Sequence, residues 1–282
     1  MSGTARKRTG YLLLLPGIAW LAVFFVVPLI SLFMTSLQAP AGGSGKYKPA
    51  FQISNYADAI TEYWPQFVRS FIFAGIATVL ALVIAYPLAY FIAFRAGKWR
   101  ALMLVLVVAP FFASFLLRTY AWRTILADEG FITSLFNALH LLPEGRILNT
   151  PLAVIAGLTY NFLPFMILPL YAALEKIDPR LIEAGSDLYG SPFTVFRKIT
   201  WPLSLPGVVA GTLLTFIPAS GDYINATLLG SVKDRMIGNA IQINFIQFRD
   251  YPMASALSFI LMAIILVLVF VYIRRAGTED LV

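Results

Sequence analysis

The 282-residue chain is 59% hydrophobic and only 12% charged, with a mean hydropathy of +0.79, a composition that excludes an ordinary soluble domain. Its formal charge of +7 does not mark a nucleic-acid partner, because Lys and Arg stand at the ends of apolar runs rather than in a stripe interleaved with aromatics. The absence of Cys excludes disulfides, thiolate metal sites and Cys nucleophiles, and the single His140 has no second ligand beside it, so no metal site is expected.

Six apolar runs, at about 11–35, 68–93, 101–122, 151–174, 206–229 and 253–273, reach or exceed the roughly 20 residues that cross a hydrocarbon core about 30 Å thick. They predict an all-α polytopic membrane protein of six transmembrane helices, one domain over 1–282, with lipid as its solvent. The first run follows Arg6, Lys7 and Arg8 as a signal peptide would, yet it is too long for a signal-peptide core and no A-x-A site follows, so an uncleaved span is expected. Residues 37–66 open with APAGGSGKYKP, the composition of a flexible linker. GFITSLFNALHLL, 130–142, carries apolar residues at helical spacing and suits a helix lying on the outer membrane surface or packed over the bundle. Short-loop Lys and Arg collect on one side: the Arg6–Arg8 cluster, Arg95, Lys98, Arg100, Lys176, Arg180, Arg197, Lys198, Arg274 and Arg275. The positive-inside rule then puts both termini in the cytoplasm.

The loop at 175–205 is cytoplasmic on this reading and far longer than a helix–helix turn requires. Asp178 is placed as an N-cap with Pro179 at the first helical position. Leu181, Ile182, Ala184, Leu188 and Tyr189 alternate with Glu183, Ser186 and Asp187 to give a short two-faced helix, which Gly190, Ser191 and Pro192 end. FTVFRKIT forms a second short segment, and Pro202 and Pro206 are expected to turn the chain back into the bilayer. Pattern alone leaves two readings open: a surface helix resting on headgroups, or a docking element for a cytoplasmic partner.

In the fifth run, Gly207 and Gly211 form a G-x-x-x-G that permits close helix contact with another span or another subunit. Pro218 and Gly221 then interrupt the helix ahead of Asp222, whose carboxylate at membrane depth costs about 3 kcal/mol and calls for a cavity or a partner. Asp222 and Tyr223 are candidates to line a substrate path; pairing of Asp222 with Arg118 or Arg123 for assembly is the alternative. Tyr160, Phe162 and Phe165, beside Pro164 in the fourth run, are further candidates, against the plainer reading of packing aromatics. Asn225-Ala226-Thr227 is formally a glycosylation sequon but falls in the apolar run, where it is discounted.

A phosphate cradle would read G-x-x-x-x-G-K-[ST]; GGSGKY has Pro40 at the first Gly position and Tyr47 at the magnesium-holding hydroxyl. No other catalytic signature occurs, so the chain is expected to be no enzyme and to bind no cofactor.

The segment from Glu183 resembles the EAA loop of ABC-importer permeases: Glu-Ala-Ala, three residues, Gly, nine residues, Ile, one residue, Leu-Pro. Glu183 and Ala184 match the start, and Ile199 and Pro202 fall 16 and 19 residues on. Gly185 stands for the second Ala, Tyr189 for the Gly with Gly190 next, and Trp201 for Leu. FLLRTYAW, LPFMILPLYAALEKID, the Leu-Pro-Gly at 205–207 and FRDYPMASALS extend the likeness to the spermidine/putrescine permeases of the PotB and PotH type over nearly the whole chain. The resemblance implies a type I importer fold in a bacterial inner membrane. It also implies a complex with a second, similar permease, two ATP-binding subunits that use the ATP and Mg, and an extracytoplasmic substrate-binding protein. Glu183, Ala184, Gly185, Asp187, Tyr189, Gly190, Ile199 and Pro202 would form the ATPase-coupling site. A permease for an opine, amino-acid derivative or sugar phosphate is the alternative within the superfamily. An ion-driven secondary transporter would show internal repeats and paired broken helices, whereas one run alone is clearly interrupted and no repeat is visible.

Overall fold

The computed structural model describes residues 14–43, 45–139 and 145–276; the Arg6–Arg8 cluster, His140 and the chain ends lie outside the described residues. Two compact units are formed, one by residues 1–64 with 241–262, the other by 65–240 with 263–282.

In the first unit, α1 (Leu14–Ser36) buries none of its most apolar stretch within the chain. A π turn over Ala22–Val26, closed by the Val27 N–H on the Ala22 carbonyl, precedes Pro28. The wider turn accommodates a proline ring that would otherwise crowd the carbonyl four residues back. Where a flexible linker was expected, residues 39–48 form an antiparallel hairpin, β1 (Ala39–Pro40) on β2 (Tyr47–Lys48), with Ala39 opposite Lys48 and Pro40 opposite Tyr47. Gly42 and Gly45 make it possible by taking φ of 80° and 73°, a region other residues enter only with strain. The Asn55 amide donates to the carbonyls of Ser36 (2.9 Å) and Gln38 (3.0 Å), satisfying acceptors that the end of α1 leaves open.

The helix α2 (Ser54–Phe94) has 41 residues and starts well before the apolar run at 68. Its first turns are polar but carry a buried helical stripe of Asn55, Ala59 and Phe67, which a length-and-apolarity criterion passes over.

In the second unit the expected third span is broken. Helices α3 (Gly97–Phe112) and α4 (Phe115–Ile125) meet at 94°, because Ala113 and Ser114 take extended backbone (ψ 143° and 140°) after the Pro110-containing turn. Helix α5 covers Phe131–Ala138. Helix α6 (Pro151–Glu175) is capped by the Thr150 hydroxyl, which accepts the Ala153 N–H at 3.4 Å. Then follow α7 (Pro179–Tyr189), α8 (Pro192–Ser220) and α9 (Ile224–Leu229), and, each divided between the two units, α10 (Ile237–Gln242, prolonged by the π turn Ile243–Phe248) and α11 (Tyr251–Ala276). Among the described residues five helices are long and apolar enough to cross a membrane, or six where the bent α3/α4 pair is counted as one span.

The core of this unit forms where Ala81, Ala85 and Ala89 of α2 meet Met166, Leu170 and Leu174 of α6. Helix α8 lies against α6 as the G-x-x-x-G requires: a β-carbon at Gly207 would stand 2.6 Å from the Ala173 methyl, and one at Gly211 only 2.8 Å from the Met166 sulfur and 3.1 Å from its carbonyl. Contact partner and sequence signal agree, and the partner is a span of the same chain. Gly211→Val is expected to destabilise the protein by about 1–3 kcal/mol through overpacking. A thermal melt of the purified protein in detergent checks it.

Candidate functional site

The segment after α6 is assembled from local signals. The Asp178 carboxylate accepts the Arg180 N–H at 2.9 Å and starts α7, while Gly190 ends it in the left-handed region, φ 68°, with its N–H on the Ser186 carbonyl at 2.8 Å. Glu183, Ala184 and Asp187 are exposed, and Gly185 is buried. A side chain at Gly185 would collide with the end of Ile199 and meet Val195 at 3.4 Å. The end of the Ile199 side chain of α8 fills the space a methyl at 185 would need and would have to shift for an Ala there. Leu188, placed with the apolar residues of the two-faced helix, and Phe193 are 79% and 70% exposed.

Pro202 and Pro206 do not turn the chain. Helix α8 runs unbroken from Pro192 to Ser220, because a π turn at Phe196–Thr200, closed by the Trp201 N–H on the Phe196 carbonyl, relieves the crowding ahead of Pro202. The Tyr86 hydroxyl shares a 2.7 Å hydrogen bond with Ser204, and its ring packs against Phe196 (5.5 Å) and Trp201 (5.3 Å). Trp201, where the EAA pattern has Leu, therefore ties the base of α8 to α2. On the α6 side, the Arg100 guanidinium pairs with Glu175, donates to the Tyr171 hydroxyl and stacks 5.0 Å from that ring's centre.

The path candidates divide into two groups. Asp222 is 9% exposed and its Oδ1 accepts the Asn225 N–H at 2.8 Å, capping α9. Asn225 Oδ1 in turn accepts from Asn161 Nδ2 (3.0 Å), which also donates to Thr119 (3.2 Å). The Asn161 oxygen and the Asn225 amide nitrogen remain buried without partners among the described residues. Asp222 forms no ion pair with Arg118 or Arg123 here. Tyr223 is 41% exposed, and its carbonyl accepts from Asn239 at 2.9 Å.

The second group is aromatic. Phe162 and Phe165 pack together (6.2 Å) and against Phe115 and Phe111, and the Arg118 guanidinium sits 5.5 Å from the Phe115 ring and 5.2 Å from the Phe111 ring. Tyr160 leans on Trp122 at 5.3 Å and, with Pro164 and Pro110, borders an apolar cavity of about 280 Å³. Asn161, Asn225 and Arg118 were not singled out as path residues from the sequence; isolated amides and one arginine in apolar runs are the signal. The break between α3 and α4 means that two runs, not one, are interrupted. No group of three or more His, Cys, Asp or Glu gathers among the described residues.

Comparison with known proteins gives the same frame. The family model for binding-protein-dependent transport system inner membrane components matches residues 85–276. The spermidine/putrescine transport system permease protein PotB of Haemophilus influenzae is 39% identical over 258 residues, 91% of this chain and 90% of that one. PotB of Escherichia coli K12 is 36% identical over 261 residues, 92% and 94%. Two solved structures share the fold at 18% identity: a bacterial ABC transporter involved in import of the acidic polysaccharide alginate (TM-score 0.68, covering 98% of this chain and 97% of that one) and the alginate transporter with its pentasaccharide-bound periplasmic protein (TM-score 0.70, 97% and 96%). The resemblance read from the EAA-like segment therefore holds over more than nine-tenths of the sequence. With its apolar helices and the match over residues 85–276, this multi-pass chain belongs to the family of binding-protein-dependent transport system inner membrane components.

Proposed function

We propose that the chain is the permease subunit of an ABC importer for polyamines of the spermidine/putrescine class. The observation that carries this reading is 39% identity to a spermidine/putrescine permease across 91% of the chain. In this reading both termini are cytoplasmic, a second permease completes the pathway, an extracytoplasmic protein delivers the amine, and two ATP-binding subunits hydrolyse ATP with Mg. The chain itself is non-catalytic and holds no cofactor.

Helix α7 is the coupling element. Its capped start and left-handed end make it a rigid unit, and the Gly185–Ile199 contact joins it directly to the foot of α8. When the ATPases beneath it close, a rigid element of this kind moves as a body and carries the attached spans. Glu183, Ala184, Asp187 and Gly190 face the ATPase in this scheme, with Gly185, Ile199 and Pro202 holding the joint and Tyr189 ending the helix. Asp222, with Tyr223, attracts the ammonium groups along the path, and Tyr160, Phe162 and Phe165 offer ring faces.

ATP-dependent uptake of labelled spermidine into proteoliposomes holding the full complex and its binding protein tests the assignment. Competition by putrescine but not by a neutral sugar is expected. A complex whose ATPase answers another solute while spermidine stays outside overturns the polyamine assignment and keeps the importer.

A further inference from the structure

Within the first unit lies a polar cavity of about 330 Å³, bordered by Tyr47 of the hairpin, Glu62 and Tyr63 of α2, and Asn244, Phe248 and Asp250 ahead of α11. Its lining contrasts with the apolar cavity beside Tyr160. At roughly ten times the 30 Å³ share of a liquid water molecule, it has room for more than a single ion.

The chemistry of the lining is specific. Glu62 is exposed, and neither it nor Asp250 has an ion-pair partner among the described residues. Arg249, whose side chain lies beside Gly45, pairs with neither. One Asp250 oxygen accepts the Met253 N–H at 3.1 Å. The aromatic walls are held in place: the Tyr47 hydroxyl donates to the Arg249 carbonyl at 3.0 Å, the buried Asn244 amide donates to the Tyr63 hydroxyl at 2.9 Å, and the Tyr47 ring meets Tyr251 edge-on at 6.1 Å. Burial and, after it, the Asp250 charge push the Tyr47 phenol up.

Two carboxylates are too few for a calcium ion, which takes about 6–8 oxygen ligands, and no acidic trio stands here among the described residues. Carboxylates joined by electron-rich ring faces instead match an organic ammonium. We propose that this cavity binds an aliphatic diammonium or polyammonium cation on the extracytoplasmic side of the protein. The inference rests on the polyamine-importer reading and on its topology.

The test uses the assembled complex in nanodiscs without the binding protein, and measures equilibrium binding of labelled spermidine to wild type, Glu62→Gln and the Glu62→Gln/Asp250→Asn pair. Asn keeps the cap on α11, and Gln keeps a hydrogen-bonding side chain at the exposed position 62 beside Tyr63, so the single variant guards against misfolding. Each neutralised carboxylate is expected to weaken binding by about 3–5-fold, the pair by the product, with the difference shrinking at high salt. Half-saturating concentrations for uptake through the binding protein rise in the same order. If wild type imports spermidine and all three proteins bind it equally, the cavity is no amine site while the polyamine reading stands. If wild type neither binds nor imports spermidine while its ATPase answers another solute, the polyamine reading falls and the inference with it.

Discussion

Glu183→Arg is expected to abolish coupling: ATP-dependent uptake collapses in proteoliposomes while the subunit still inserts and assembles. Glu183 is exposed on α7 and makes no ion pair among the described residues. Arg is as good a helix former as Glu, so the reversal leaves the segment folded. Its effect falls on whatever meets the carboxylate. Breaking a desolvated charge pair at a docked surface costs about 2–5 kcal/mol, enough to lower coupled uptake by well over tenfold. The rival reading, a helix resting on headgroups, gives the opposite sign, because an added Arg strengthens attraction to anionic lipid. Uptake at the wild-type rate would remove α7 from the coupling path.

At Asp222 a pair of substitutions separates fold from transport. Asp222→Ala deletes the acceptor of the Asn225 N–H and leaves a buried donor unpaired, a loss of about 1–3 kcal/mol. It also loosens Asn225 under the Asn161–Thr119 amide chain, so a lowered melting temperature and poor yield are expected. Asp222→Asn keeps an oxygen for the cap, since Asn caps as well as Asp, but removes the charge. The complex is expected to stay whole while uptake of spermidine below saturation drops severalfold; unchanged uptake would reduce Asp222 to a helix cap.

The sequence showed what is decided locally. Asp178-Pro179 and Gly190 bounded α7 correctly because caps depend on a few adjacent residues, and the run lengths located the apolar spans. Three features were illegible for a physical reason. The start of α2 at Ser54 lies in polar sequence that membrane-length criteria ignore. The break at Ala113–Ser114 and the π turn before Pro202 depend on how prolines are absorbed in three dimensions, and Pro202 in isolation reads as a stop. The surroundings of Asp222 were hidden for another reason: its cap is local, but the amides around it come from α6 and α9, and no spacing rule joins Asn161 to Asn225.

Helix α1 answers to different pressures from α8. Its most apolar stretch is buried nowhere within its own chain, and the shared family pattern begins only at residue 85. Such a helix is judged by thickness rather than by shape: about 35 Å long at 1.5 Å per residue, it meets a core about 30 Å thick by tilting. Exchanges among Leu, Ile, Val and Phe along it are close to neutral, so α1 can drift over generations and retune the protein to bilayers of different depth. Gly207 and Gly211, wedged against α6, have no such freedom.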